Sequence, residues 1–217
     1  MKYGLIGSTG RLGKEIINVF SDNNNELVFT FDLQGEWIQT EPEILIDCSL
    51  PEAFDKMLSF AKKFGVPLIV ATTGLTEKNI IDLKEYSKIK PVVQSYNFSM
   101  GIQILFQLTK IANDKLPDWD VEITETHHRF KKDKPSGTAK MIQEIFGDKK
   151  VNTTSLRLGN VPGDHTVNFA GLGEVLSIQH RALSRRTFAE GIFMSAEFAL
   201  KKEKGFYSFT DVVFSKE

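Results

Sequence analysis

Short apolar runs alternate with longer amphipathic segments through the first hundred residues. YGLIG predicts a first strand, and RLGKEIINVF, with apolar residues at helical spacing, predicts the helix after it. The same alternation predicts four more strands, ELVFTFD, EILIDCS, PLIVATTG and PVVQSYN, and two more helices, PEAFDKMLSFAKKFG and TEKNIIDLKEYSK. Strand–helix alternation with short connections is typical of a parallel, doubly wound sheet.

The pattern changes after Asn97. SMGIQILFQLTKIANDKL predicts a long helix, WDVEITETHH a strand, and SGTAKMIQEIFG a helix with Ser136 as its N-cap. Three strand-like runs without helices between them come next, TSLRLGN, HTVNFAGL and EVLSIQHRAL, and the last helix is RRTFAEGIFMSAEFALKK. Consecutive strands favour an antiparallel or mixed sheet. We therefore expect a second, smaller α+β domain that begins near residues 97–99.

Composition removes several classes of partner. The 217 residues carry 27 basic and 28 acidic side chains, so no global field would hold nucleic acid or an anionic membrane. Cys48 is the single cysteine, which excludes an internal disulfide and suits a reducing compartment. No apolar run approaches the ~20 residues needed to cross a bilayer, and a strand-like run from Lys2 leaves no room for a signal peptide. We expect a soluble, cytoplasmic protein.

GSTGRLG, from Gly7 to Gly13, lies where the first predicted strand turns into the first helix. A dinucleotide pyrophosphate needs a tight turn, close backbone approach and helix N-terminal N–H groups there, and glycine allows the first two. Asp32, at the end of the second strand, is placed to accept hydrogen bonds from the adenosine ribose. These features predict a Rossmann-like domain. The alternative is that the glycines, in an atypical G-x-x-G-x-x-G spacing, only pack a helix on the sheet.

ATTG and SYNFS follow the fourth and fifth predicted strands. Ligands of open α/β sheets bind outside the carboxyl ends of the strands. Hydroxyls and backbone amides of these segments could meet a nicotinamide ribose and carboxamide, and Phe98 could lie near the nicotinamide ring. Taken alone, each segment is more typical of an ordinary turn from strand to helix.

Residues 125–140, ETHHRFKKDKPSGTAK, place two of the four histidines side by side ahead of a basic run. Histidine is the usual side chain for proton transfer near neutral pH, but a solvated loop is the ordinary explanation of a charge run. A zinc site is disfavoured because one cysteine and scattered histidines form no tetrahedral ligand set, and adjacent histidines on a strand point to opposite faces. We expect no metal, and we assign no role to His165 or His180.

Several of these stretches, in this order, resemble the 4-hydroxy-tetrahydrodipicolinate reductase (dihydrodipicolinate reductase) family: GSTGRLG, ATTG, SYNFSMG, ETHHRFKKDKPSGTA, LRLGNVPGDHTVNFAG and HRALSRRTFAEG. The resemblance covers almost the whole chain, and its histidine loop is specific to the family. It implies NAD(P)H-dependent reduction of 4-hydroxy-tetrahydrodipicolinate, through dihydrodipicolinate, to tetrahydrodipicolinate in lysine and diaminopimelate biosynthesis.

The family's H-H-x-x-K pattern implies a role for each matching residue. His127 is implied as the catalytic proton donor or acceptor, and Lys131 as the second proton donor. His128, Gly137 and Thr138 are implied to bind the substrate, the last two by holding a carboxylate at a helix N-terminus. The implied site for NADH or NADPH comprises Gly7, Ser8, Thr9, Gly10, Arg11, Leu12, Asp32, Ala71, Thr72, Thr73, Ser95, Tyr96, Asn97 and Phe98.

The resemblance also implies a domain organisation. A dinucleotide-binding domain over residues 1–98 would be completed by the C-terminal segment 185–217. A substrate-binding and tetramerisation domain over residues 99–184 would assemble a homotetramer. The chain departs from many relatives at Ala71, at Ser95 and Tyr96, at Phe130 and at Lys134, but none of these changes removes a group that carries a proton or a charge in this scheme.

Two other functions remain open at this point. One is a nicotinamide-dependent oxidoreductase acting on another small carboxylate, against which a dicarboxylate-selective rate would argue. The other is a non-catalytic dinucleotide-sensing module, against which His127 and Lys131 together argue. Among cofactors, Asp32 without a following cation should repel the 2′-phosphate of NADPH, which favours NADH. The resemblance implies that both cofactors are accepted, so we expect both to work, with NADH at least as good and a difference within about tenfold.

Overall fold

The structure, a computed structural model, describes residues 1–215. The chain folds into two compact units. Unit 1 comprises Met1–Ser99 together with the chain from Arg185 onward, and unit 2 comprises Met100–Ser184. Among the described residues, no helix combines the length and apolarity needed to cross a membrane.

Unit 1 is built on a seven-stranded sheet. Its strands are β1 (Lys2–Ile6), β2 (Glu26–Asp32), β3 (Gly35–Ile38), β4 (Ile44–Asp47), β5 (Leu68–Val70), β6 (Pro91–Gln94) and β11 (Gly205–Tyr207), in the spatial order β11-β6-β5-β4-β1-β2-β3. All neighbours are parallel except β3, which runs antiparallel to β2. The reversal of order beside β1 is that of a Rossmann-like doubly wound sheet, so the predicted fold class is confirmed.

Helices cover both faces of this sheet. The helices of unit 1 are α1 (Arg11–Asp22), α2 (Phe54–Phe64, after a 3-10 turn at Pro51–Ala53), α3 (Glu77–Ser87), α6 (Arg186–Leu200) and α7 (Phe209–Phe214). One core joins α1, α6 and α7 to inward side chains such as Tyr3 and Leu5, and a second joins α2 and α3 to the opposite face through residues such as Ile6. Alternate residues of β1 therefore enter different cores, as the period of a strand requires.

Three elements of unit 1 were not predicted. Every residue of β3 is exposed, so it has no apolar alternation to mark it. Strand β11 is only three residues long and follows the charged stretch KKEK, which carries no strand pattern. Helix α7 begins at a capping box in which Ser208 and Asp211 exchange hydrogen bonds.

Unit 2 combines two helices with a four-stranded sheet. Its elements are α4 (Met100–Lys115), β7 (Asp120–His127), α5 (Gly137–Glu144), β8 (Asn152–Arg157), β9 (Asp164–Ala170) and β10 (Val175–Arg181), and the strand order is β10-β9-β7-β8. Strand β7 pairs with β8 in parallel and with β9 antiparallel, so the sheet is mixed. Its core packs Ile102 and Leu105 of α4 and Ile142 of α5 against Ile123 and Val167 of the sheet.

Candidate active site

The glycine loop forms the turn from β1 to α1. Gly7 has a φ of +87°, which favours glycine, and a Cβ on it would lie 3.0 Å from the Cys48 carbonyl oxygen. A Cβ on Gly13, in the first turn of α1, would lie 2.3 Å from the Gly7 carbonyl oxygen. Both positions therefore require glycine for the helix to start this close to the strand, which is the arrangement that brings backbone N–H groups to a phosphate.

Asp32 lies at the carboxyl end of β2 with both carboxylate oxygens engaged. The Ser8 hydroxyl donates a hydrogen bond to Asp32 Oδ2, and the Gln34 N–H donates to Oδ1 at 2.8 Å. These two donors hold the carboxylate beside the glycine loop. The bond from Ser8 therefore links the glycine loop directly to Asp32.

A cleft of about 540 Å³ opens at these strand ends. Its volume lies within the range of small-molecule sites. Two carboxylates, Asp32 and Glu52, line it together with two exposed leucines, Leu33 and Leu50. No lysine or arginine belongs to the lining, which within the described chain comprises Ile6, Gly7, Thr9, Gly10, Phe31, Asp32, Leu33, Cys48, Ser49, Leu50, Glu52 and Ala53.

The segments after β5 and β6 continue from neighbouring strands at the same edge. The Ala71 N–H donates to the Asp47 carbonyl at 2.8 Å, and the Ser95 N–H to the Val70 carbonyl at 3.2 Å. Thr72, Ser95 and Asn97 are buried, whereas Thr73 is exposed. The Ser95 hydroxyl donates to the Asn97 carbonyl at 2.9 Å. The backbone of both turns is therefore fixed by hydrogen bonds.

Phe98 differs from the other residues of these segments. Its ring is 2% exposed and packs on Phe209 of α7, with 5.3 Å between the ring centroids. A Cβ on Gly191 of α6 would lie 1.8 Å from the Phe98 carbonyl oxygen, so that helix approaches the Phe98 backbone directly. A contact between Phe98 and a nicotinamide ring stays a prediction, and the ring itself belongs to the core.

In unit 2, His127 is the last residue of β7, and Glu125 lies two residues before it on the same face of the strand. Glu125 is fully buried and His127 is 7% exposed. The Nδ1 atom of His127 makes a short hydrogen bond to Glu125 Oε2. An ionised carboxylate can only accept, so Nδ1 carries a proton and Nε2 remains for exchange with a substrate.

Arg157, the last residue of β8, binds the same carboxylate. Its two terminal nitrogens donate to the two oxygens of Glu125, each at 2.9 Å, and the Ser136 N–H adds a bond of 3.3 Å. Burial raises the pKa of Glu125, but hydrogen bonds from His127, Arg157 and Ser155 outweigh burial and hold the pKa well below its ordinary value. Glu125 is therefore a carboxylate at neutral pH.

His165 lies beside this pair, on β9 opposite Glu125. Its ring meets that of His127 edge to face, with 5.1 Å between centroids, and its Nε2 is 3.3 Å from the Ser136 hydroxyl. Burial and, next, the positive charge of His127 lower the pKa of His165 to about 3. His165 is thus a neutral, buried residue beside the site, although no pattern in the sequence pointed to a role for it.

The loop after β7 carries the remaining candidates. Lys131 forms an ion pair with Asp133 at 2.8 Å, and the Arg157 Nε–H donates to the Lys131 carbonyl at 3.2 Å. His128 is half-buried. Because Arg157 bonds both this loop and Glu125, it ties the position of Lys131 to the His127 site.

Gly137 and Thr138 open helix α5. Ser136 is the N-cap, as predicted, and its hydroxyl accepts a hydrogen bond from the Ala139 N–H at 3.2 Å. Thr138 is 5% exposed. The first backbone N–H groups of a helix and its dipole attract an anion, so this end of α5 can hold a carboxylate.

The structure brings His127, Lys131 and the start of α5 together through residues that sequence reasoning missed: Glu125, Ser136 as a ligand of Glu125, Arg157 and His165. Glu125 and His127 are spaced i and i+2 on a strand, a signal that was available. Arg157 had no such signal, because it reaches the site by strand pairing. Within residues 1–215, no group of three or more His, Cys, Asp and Glu side chains is arranged to hold a metal ion.

Two family models match the chain. A model described as "Dihydrodipicolinate reductase, N-terminus" matches residues 1–98, and one described as "Dihydrodipicolinate reductase, C-terminus" matches residues 101–213. The two matches together leave only residues 99–100 and the last four residues outside.

Named relatives and solved structures agree with these matches. A 4-hydroxy-tetrahydrodipicolinate reductase of Thermosipho africanus is 46% identical over 214 residues, 98% of each chain. One of Bdellovibrio bacteriovorus is 39% identical over 225 residues, 100% of this chain and 97% of its own. A dipicolinate-bound dihydrodipicolinate reductase from Paenisporosarcina sp. TG-14 has a TM-score of 0.76 at 19% identity, covering 96% of this chain and 97% of its own, and shows the shared fold.

Proposed function

Because the chain belongs to the dihydrodipicolinate reductase family, we propose that it reduces 4-hydroxy-tetrahydrodipicolinate, by way of dihydrodipicolinate, to tetrahydrodipicolinate. Dihydrodipicolinate, one NADH or NADPH and one proton give tetrahydrodipicolinate and the oxidised cofactor. The reaction would serve lysine and diaminopimelate biosynthesis. The observation that carries the proposal is the buried His127, with Nδ1 bonded to Glu125 and Nε2 left for proton exchange.

The acid–base part of the reaction belongs to unit 2. Hydride addition leaves negative charge on the substrate ring, and a proton must quench that charge. His127 Nε2 supplies or accepts this proton, and Lys131 acts as a second donor. In the absence of substrate, the ion pair with Asp133 holds the Lys131 ammonium group near its loop. A substrate with two negative charges would compete with Asp133 for this group.

The dicarboxylate would be recognised beside this pair. The backbone N–H groups of Gly137 and Thr138 and the Thr138 hydroxyl lie at the start of α5, where the helix dipole adds roughly half a positive charge. His128 contributes a further polar contact. The basic residues of this loop are thus explained by a substrate with two negative charges.

The cofactor would be held by unit 1. A bound nicotinamide dinucleotide supplies the hydride. The Gly7–Gly13 loop offers N–H groups to its pyrophosphate, and Asp32 accepts hydrogen bonds from the adenosine ribose. The turns after β5 and β6, with their fixed backbones, would orient the nicotinamide half.

A coupled assay tests the proposal. The preceding synthase generates the substrate in place, and the loss of NADH or NADPH absorbance is followed after addition of the protein. We expect turnover that depends on the synthase product. No turnover despite dinucleotide binding would favour a sensing module, and faster turnover of another small carboxylate would favour the other oxidoreductase.

The proposal includes a homotetramer assembled through unit 2. Helix α4 exposes a stripe of large apolar side chains, Ile104, Leu108 and Ile111, and the edge strand β10 exposes Val175 and Leu176. A groove of about 570 Å³ runs between α4 and β10. Contiguous exposed apolar surface of this kind marks interaction sites, and a second copy of the chain would cover it.

Light scattering coupled to size exclusion tests the assembly. We expect a tetramer for the wild type and a smaller species for Leu176→Glu, because the new carboxylate would be buried in the interface. Ile81→Glu is the matched control, since Ile81 is an exposed isoleucine of α3 in unit 1. A monomeric wild type, or a tetrameric Leu176→Glu variant, would contradict this part of the proposal.

A further inference from the structure

Glu125 forms hydrogen bonds with several residues of the candidate active site. It is fully buried, bonds His127 Nδ1, receives both terminal nitrogens of Arg157, and accepts the Ser136 N–H. Together with the Ser155 side chain, these donors come from three different parts of unit 2 and converge on one carboxylate. Buried carboxylates need such partners, but one of these partners is His127, the proposed catalytic proton donor or acceptor.

We propose that Glu125 is a positioning residue that fixes the tautomer and the proton affinity of His127, and that Arg157 sets how much of the Glu125 charge His127 experiences. The inference rests on the proposed acid–base role of His127. Glu125 itself would not touch the substrate.

The orientation of the ring supports this assignment. With Nδ1 bonded to the carboxylate, Nε2 faces Gly163 at the turn before β9, where a Cβ would lie 3.1 Å from Nε2. A larger residue there would crowd the one ring nitrogen available to a substrate. The carboxylate therefore holds the ring with Nε2 toward the backbone of Gly163, a residue without a side chain.

The charges around the pair come from every strand that packs on it. Arg157 from β8 is a cation in direct contact, and Lys131 and Asp133 from the loop form their own ion pair. His165 from β9 and His180 from β10 are histidines whose pKa values burial lowers, so both are neutral near pH 7. The negative charge of Glu125 is therefore shared between Arg157 and His127.

Glu125→Gln tests the inference because it removes the charge and keeps the shape. The imidazolium loses its stabilising neighbour, so we expect the basic limb of the kcat profile to move about one to three pH units lower. We also expect kcat to fall roughly 10²–10⁴-fold, with the KM for the dinucleotide unchanged. Glu122→Gln is the matched control, since Glu122 is on the same strand and accepts a hydrogen bond from Thr154.

Arg157→Gln is a second variant, for which we expect the basic limb of the kcat profile to shift in the opposite direction. It frees the whole charge of Glu125 for His127, so we expect the basic limb to move to higher pH, whatever happens to kcat through the loop contacts of Arg157. If Glu125 were only a structural counter-ion for Arg157, neither variant would move the limb. Unmoved limbs, or a shift in the same direction for both variants, would overturn the inference.

Nitrogen NMR on protein with labelled histidine gives a readout that does not need turnover. We expect the neutral His127 ring to carry its proton on Nδ1 in the wild type and to populate both tautomers in Glu125→Gln, with His127→Gln used to assign the signals. A wild-type ring protonated on Nε2 would refute the inference even in an active reductase. The expected tautomer in a protein without reductase activity would instead refute the proposed function alone.

Discussion

At the scale of single residues, the adjacent histidines have different surroundings because strand geometry points them to opposite faces. His127 faces the buried Glu125, whereas His128 is half-buried at the start of the loop. The proposed proton transfer therefore involves His127, the histidine that contacts Glu125. Lys131 is tied to the same site through its carbonyl contact with Arg157.

Replacing His127 or Lys131 with Ala should lower kcat by about 10²–10⁴-fold, because each change removes a proton donor or a transition-state charge. Dinucleotide binding should be nearly unchanged, since the glycine loop belongs to unit 1. Steady-state kinetics and fluorescence titration with NADH measure the two effects. Lys132→Ala, an exposed neighbour in the same basic run, is the control. Wild-type turnover in both His127→Ala and Lys131→Ala would remove the catalytic assignment.

Thr138→Val keeps the side-chain shape and deletes a buried hydroxyl at the start of α5. If that hydroxyl donates to a substrate carboxylate, its loss should cost roughly 1.5–3 kcal/mol, seen chiefly as a higher KM for the dicarboxylate. Thr154→Val, on β8, serves as a control because Thr154 bonds Glu122 away from α5. Unaltered KM and kcat in Thr138→Val would place the carboxylate elsewhere.

At the scale of elements, the sequence predicted what periodicity can show. The five buried strands of unit 1, the N-cap Ser136 and the mixed sheet of unit 2 are all present. The edge strand β3 was missed because its stability comes from pairing with β2 and not from burial. Strand β11 was missed because a three-residue strand depends on its neighbour β6 to form.

The candidate site also combines local sequence features with contacts that depend on strand pairing. The glycine loop and Asp32 are local features, with a strand before and a helix after, so sequence could propose them. Glu125 and Arg157 meet because β7 and β8 pair in parallel with His127 opposite Arg157. A register between strands separated by a helix and two loops cannot be calculated from local propensity. The spacing of Glu125 and His127 was therefore visible in the sequence, whereas the contact of Arg157 with Glu125 was visible only in the folded chain.

The cleft at the ends of β1, β2 and β4 predicts cofactor choice. Among residues 1–215, Asp32 and Glu52 line it and no lysine or arginine does, so the 2′-phosphate of NADPH would meet two negative charges. We expect NADH to be favoured by up to about tenfold in kcat/KM. Leu33→Arg, at the fully exposed residue after Asp32, should raise kcat/KM for NADPH, since arginine is the usual partner of this phosphate.

Kinetics with both cofactors at fixed ionic strength measure this preference. Leu172→Arg, which adds the same charge at an exposed leucine of unit 2, controls for a general electrostatic effect. A wild-type preference for NADPH greater than about tenfold would mean that a cation outside the cleft lining captures the phosphate. The interpretation of Asp32 would then be wrong.

At the scale of the whole molecule, the net charge is close to zero and gives no long-range attraction for an anion. Each unit must therefore bind its ligand through local groups. The formal net charge is −1, yet unit 1 presents an acidic cleft and unit 2 a basic loop. The features proposed to bind anions are a backbone loop in unit 1 and a helix start with lysine and histidine in unit 2. Such separate local sites suit a reaction between two anionic ligands.

The buried groups of unit 2 also predict how stability depends on pH. Burial and then the charge of His127 lower the pKa of His165 from 6.5 to about 3, so the folded protein binds fewer protons than the unfolded chain between these values. Stability is therefore lost as pH falls through that window. The pKa of Glu125, which hydrogen bonds lower despite burial, adds a loss of the same sign below its ordinary value of 4.5.

We expect the urea midpoint of unit 2 to fall steadily from pH 7 to pH 4. Fluorescence of Trp119 reports this unit when Trp37, the other tryptophan, is replaced with Phe. His165→Gln, which can still bond the Ser136 hydroxyl, should flatten the decline between pH 6.5 and pH 5, because it removes the group that must take up a proton there. A midpoint independent of pH, or an equally steep decline in His165→Gln, would show that His165 is not buried as a neutral ring.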